Sequence, residues 1–137
     1  MADVSSFIKK WNNRTLDDAG SYVSTEFHSF QLSFFNAMRK IAKGLGAEVV
    51  NPLYGHYDMS GFVRRGDKYV YFCYSNGLGL GGRTHVALRN DGHWFEPMYC
   101  RTATNDKDYR GGSNNGCYFE DCEKVIERLL NTEHKEW

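Results

Sequence analysis

The stretch that most constrains the fold is Lys68 to Ser75, KYVYFCYS, which is dense in β-branched and aromatic residues. Such side chains fit a pleated, half-buried surface. Strand alternation puts Tyr69, Tyr71 and Cys73 on one face and Val70, Phe72 and Tyr74 on the other. Both faces are apolar enough to need cover, so this is expected to be a central strand. The preceding arm from Gly55, GHYDMSGFVR, supplies a partner, and Arg65-Gly66-Asp67 closes the turn between them.

Helical periodicity appears in three places. Val4, Phe7, Ile8 and Trp11 fall at i, i+3, i+4 and i+7, a short helix with Asp3 as its cap. Asn12-Asn13-Arg14 ends it, and residues 15–24 read as polar connection. Phe27, Phe30, Phe34, Met38, Ile41 and Leu45 make the clearest stripe in the chain, widened by Phe35 and Ala42. Ser24 or Thr25 suits its start, and Gly44 and Gly46 suit its stop. The last helix runs from about Phe119 to Asn131, with Cys122, Val125, Ile126, Leu129 and Leu130 as its buried stripe.

The remaining extended segments are Ala47–Leu53, Arg83–Arg89 and Trp94–Arg101, the last interrupted at Pro97. A glycine run at 77–82, the turn Asn90-Asp91-Gly92 and a long polar loop at 102–116 separate them. The expected class is α+β: a mostly antiparallel sheet of about five strands, with two N-terminal helices and one C-terminal helix packed on one face. A single domain over residues 1–137, with 131–137 a frayed tail, accommodates this order.

Charge excludes little. Lys plus Arg and Asp plus Glu number 17 each, so no global field steers the chain to nucleic acid or membrane. The N-terminus MADVSSFIKKW has no long apolar run, so neither a signal peptide nor a membrane span is expected, and the location implied is cytoplasmic. Reduced, buried thiols are then the expected state of Cys73, Cys100, Cys117 and Cys122.

No catalytic signature of high specificity is present. The glycine run spells GxGxGG, lacks a following GK[ST] and leads into a strand, so it reads as a hairpin loop and not a phosphate cradle. His56 and Asp58 share a strand face, and His85 would join them if its strand were a neighbour, giving a His/His/Asp set for a small metal-dependent hydrolase or nuclease. Histidines partnered at strand edges and turns are the blander reading of the same residues, and neither a resident metal nor any other cofactor is expected. A cysteine or Ser60 nucleophile lacks a local signature, and strand cysteines flanked by aromatics usually pack.

Two polar surfaces suit recognition better. Arg64, Arg65 and Lys68 cluster at the hairpin tip beside Tyr69 and Tyr71, the mixture of charge and rings that single-stranded nucleic-acid binders use. Edge strands also carry such bases to resist edge pairing. The loop with Lys107, Tyr109, Arg110 and Asn114, together with Arg83 after the glycine run, offers the residue types that recur at binding hot spots.

The segments GHYDMSGF, KYVYFCYSN and YCRTATNDKDYRGGSNN resemble a family of small uncharacterised proteins carried by plasmids, phages and integrative elements of Firmicutes. The resemblance covers about half the chain, and residues 77–98 depart from the pattern. It implies a mobile-element accessory protein, often an anti-defence factor of the anti-CRISPR kind. The resulting expectation is a non-enzymatic inhibitor of a nucleic-acid-handling effector, whose partner is a bacterial protein or protein–nucleic-acid complex. Weak direct nucleic-acid contact is the further alternative, and no membrane partner is expected.

Overall fold

The computed structural model of the chain describes residues 4–17, 25–54, 59–74, 83–88, 90–94, 97–107 and 112–134. In chain order the elements are α1 (Ser5–Trp11), β1 (Arg14–Asp17), α2 (Thr25–Gly44), β2 (Glu48–Leu53), β3 (Met59–Arg65) and β4 (Lys68–Tyr74). They continue as β5 (Arg83–Val86), β6 (Met98–Ala103), β7 (Asn115–Cys117), a 3-10 turn (Phe119–Asp121) and α3 (Cys122–Leu130). The class is α+β, as expected.

The main sheet is five-stranded and antiparallel throughout, in the order β2-β3-β4-β6-β7. The aromatic arm is its central strand. Val70, Phe72 and Tyr74 of β4 join Met59 and Val63 of β3 and Met98 and Cys100 of β6 in one buried cluster with the helices. From α2 come Phe30, Phe34, Phe35, Met38, Ile41 and Ala42, and from α3 come Ile126, Leu129 and Leu130. Phe34 sits at the middle, its ring 6.1 Å from that of Phe72, 5.6 Å from Tyr74 and 5.6 Å from Phe119. Each such ring contributes about 1.5–3 kcal/mol when fully removed from water.

The end of α2 follows from Gly46. Its φ of +68° is the left-handed conformation that L side chains resist, and it lets the Ala47 N–H reach back to the Ala42 carbonyl oxygen at 2.8 Å. The Gly46 N–H donates to Lys43 O at 3.1 Å, completing a Schellman stop that turns the chain directly into β2.

Four segments differ from the sequence expectation. Arg14, expected to help end the first helix, and residues 15–17, expected to be connection, form β1, which pairs with β5 in a separate two-stranded sheet, Thr15 opposite His85 and Asp17 opposite Arg83. Thus the segment from Arg83 does not enter the main sheet. Its place is taken by β7, Asn115–Cys117, whose first two residues lie inside the expected polar loop of 102–116. The strand expected from Trp94 begins only after Pro97, at Met98, because proline has no N–H for the ladder; Trp94 makes an isolated bridge to Leu88. Leu16 and Val86 of the small sheet are both fully buried, so hydrophobic burial draws β1 and β5 together despite their polar neighbours.

Candidate functional site

The registers of the main sheet put three rungs of side chains on the face away from the helices. One rung is Glu48, Arg64, Tyr69 and Ala103; the next is Val50, Phe62, Tyr71 and Arg101; the third includes Ser60, Cys73 and Tyr99. Phe62, Tyr71 and Ala103 form a small second core, with Val50, Tyr69 and Cys73 packed against it. None of the described helices contributes to it. The segment after β6 reaches across to β2, where Asn51 Nδ2 donates to the Asp106 carbonyl oxygen at 2.7 Å. Asn51 takes a φ of +51° at the irregularity between Val50 and Leu53, where the ladder register shifts.

What stays accessible on this face includes aromatic and basic side chains, with the exposed carboxylate of Glu48 beside Arg64. Tyr99 is 37% exposed, Tyr69 and Arg101 are half-buried, and Arg64 is exposed. Arg64 lies between the phenol of Tyr69 and the carboxylate of Glu48, which together hold its guanidinium pKa above the ordinary value. Arg101 donates from Nε at 2.9 Å and from Nη2 at 2.6 Å to Asn114 Oδ1, which fixes the guanidinium plane beside Tyr99. Exposed cations held in place by neighbours need less ordering when a partner arrives.

The other sequence candidates fall as follows. Arg65 turns to the helix side: Nη1 donates to Leu45 O at 3.1 Å and Nη2 to Asn131 Oδ1 at 3.0 Å. Lys68 is exposed at the start of β4, and Lys107 is exposed with its N–H bonded to Asn105 Oδ1 at 2.8 Å. Asn114 is the acceptor for Arg101. Arg83 and His85 are placed by backbone in β5, beside β1 and not beside β3. His56, Asp58, Tyr109 and Arg110, and the glycine run 77–82, lie outside the described residues.

A second constellation was not singled out by sequence reasoning. His93, Glu120 and Asp121 bring one imidazole and two carboxylates together, their ligand atoms all within 4.8 Å of one another. Nothing in their spacing announces this, since His93 follows a turn and the acids sit in the 3-10 turn before α3. The four cysteines are free thiols. Cys100 and Cys117 face each other diagonally across β6 and β7, and the Cys100 thiol donates to the Cys117 sulfur. That bond and then burial push Cys100 well up; the same bond draws Cys117 down against the opposing effect of burial, while burial raises Cys122 and Cys73.

Depressions among the described residues include two away from the sheet face. A groove of about 190 Å³ between α1 and α2 is lined by Phe7, Trp11, Asn36 and Lys40. A polar cleft of about 320 Å³ lies where Gly112–Ser113 passes the end of α3, lined by Thr102, Asn115, Arg128 and Thr132. No described helix is long and apolar enough to cross a membrane. No family model, curated protein or solved structure matches the chain.

Proposed function

We propose that this chain is a non-enzymatic binding protein, an inhibitor of a bacterial nucleic-acid-handling effector of the anti-defence kind. The contact surface in this reading is the sheet face carrying Tyr69, Tyr99, Arg64 and Arg101. The observation that supports it is the company these residues keep: accessible tyrosines and positioned arginines on a rigid strand platform that no described helix covers. Tyrosine and arginine dominate binding hot spots because they combine large contact area with directional hydrogen bonding at modest entropic cost. The nature of the effector rests on the mobile-element resemblance of residues 55–62, 68–76 and 99–115. Such a target is cytoplasmic, where four free thiols stay reduced.

The test is co-purification of the chain with a panel of RNA-guided and related effector nucleases, followed by affinity measurement on any complex. A Tyr99→Ala, Arg101→Ala double variant is expected to weaken binding by about thirtyfold or more while its melting temperature stays near that of the parent. Absence of a stable complex across the panel, or a complex indifferent to this variant, removes the reading.

A second reading has one observation of its own. Arg64 beside Tyr69 and Arg101 beside Tyr99 repeat the pairing of backbone charge with a stacking ring that serves single strands. Direct binding of this kind falls steeply with salt. A labelled single-stranded RNA whose affinity does not change with salt, or does not bind at all, excludes it.

A further inference from the structure

His93 leaves the turn at Asn90–Gly92 and reaches the 3-10 turn that leads into α3, where Glu120 and Asp121 stand side by side. We propose that His93, Glu120 and Asp121 form a site for a divalent transition-metal ion of the zinc class. His93 Nδ1 lies 3.3 Å from Glu120 Oε1. A tetrahedral ion with bonds of about 2.0–2.1 Å holds neighbouring ligand atoms about 3.3–3.4 Å apart, so this pair already spans one edge of such a site. The Asp121 carboxylate is within 4.8 Å of both, close enough for a side-chain rotation to bring it in as third ligand.

Two of the three ligands, His93 and Glu120, are held before any ion arrives. The Trp94 N–H donates to Glu120 Oε2 at 2.9 Å and to Oε1 at 3.2 Å, and Trp94 itself is fully buried, so the carboxylate is anchored to rigid backbone. The His93 N–H donates to Asp91 Oδ1 at 3.0 Å, and the imidazole stacks on Tyr118 with centroids 4.1 Å apart and planes 10° from parallel. Outer partners that orient ligands in this way raise metal affinity.

Charge separates this site from a plain histidine–glutamate pair. Two carboxylates carry two negative charges; an imidazolium returns one and a divalent cation returns both. An imidazole donor in turn selects zinc-like ions over magnesium or calcium, which prefer oxygen throughout. All three residues are half-buried, so three protein ligands leave coordination open to water or to a donor from a bound partner.

Calorimetric titration of chelator-treated, buffer-exchanged protein with ZnCl2 tests the site. The expected result is saturable binding of a single equivalent with a rise in melting temperature, and no response to MgCl2 at the same concentration. His93→Gln and Asp121→Asn should each weaken zinc binding by at least about tenfold. Glu120→Gln, whose amide oxygen keeps the Trp94 bond, should do the same, and circular dichroism of the metal-free variants confirms that they fold. Zinc binding that survives all three substitutions, placing the ion on the Cys100 and Cys117 thiols instead, would overturn the assignment. So would the absence of any zinc response in the folded parent.

Discussion

Gly112 backs onto Thr102 so closely that a Cβ at position 112 would stand 2.7 Å from the threonine Oγ1 and 3.2 Å from its carbonyl oxygen. The same glycine has a φ of +69°, so both space and backbone demand that it carry no side chain. Thr102 Oγ1 in turn shares a hydrogen bond of 2.9 Å with His134 Nδ1, tying the segment after α3 to the sheet. Gly112→Ala is therefore expected to destabilise the fold by roughly 1–3 kcal/mol. Urea denaturation with an unchanged m-value reads this directly, and a variant as stable as the parent would show that the contact is not made in solution.

The parts legible in the sequence are those where period and burial coincide. The stripe through Phe30, Phe34, Met38 and Ile41 needed only helical spacing, and all four are fully or almost fully buried. Strand alternation puts Tyr69 and Tyr71 on the face opposite Val70 and Phe72, and the registers place them there. β1 escaped because RTLD offers a single apolar residue, Leu16, and its partner strand lies some seventy residues on. The His93–Glu120 contact is equally silent, joining a turn to a 3-10 segment 27 residues away with no repeat or motif between them. Periodicity reports which way a side chain faces, and it carries no information on which distant turn that side chain will meet.

Sequence position makes Arg65 a candidate for partner contact, and its hydrogen bonds give it an architectural task. It ties the end of α2 at Leu45 to the end of α3 at Asn131 across the β3–β4 turn. Arg65→Ala removes a charge-assisted bond to a helix-terminal carbonyl and should cost about 1–2 kcal/mol of stability. Chemical denaturation measures the loss. A variant of unchanged stability that nevertheless loses a binding partner would return Arg65 to the contact surface.

Phe34 is the side chain through which α2, β4 and the 3-10 turn are packed together, with Phe35, Phe72, Tyr74 and Phe119 around it. Truncation leaves a cavity that these bulky neighbours can only partly fill. Phe34→Ala is expected to cost about 3–5 kcal/mol and Phe34→Leu distinctly less. Equal effects in the two variants, read from urea midpoints, would mean that the ring does not occupy this central position.

The thiols make a prediction with a definite sign. Thiolate is the reactive form, and the Cys117 thiol is the one drawn down, by the hydrogen bond from Cys100. Cys117 should react first with an alkylating reagent in the folded protein, while buried Cys100 and Cys122 wait for unfolding; peptide mapping after brief iodoacetamide treatment checks the order. In the unfolded chain every thiol titrates near about 8.5. Above that pH the unfolded chain gives up protons that Cys100 and Cys122 retain in the fold, their pKa values being raised, so stability falls as pH rises. Cys117 works in the opposite sense, adding stability from its lowered folded value up to about 8.5 and nothing further beyond. The expected profile is therefore flat or gently rising through neutrality and then declining in alkali. Urea midpoints at pH 7.5 and 9.5 should separate more in the parent than in a Cys100→Ala, Cys122→Ala variant, because the variant has lost the groups whose protons the fold retains.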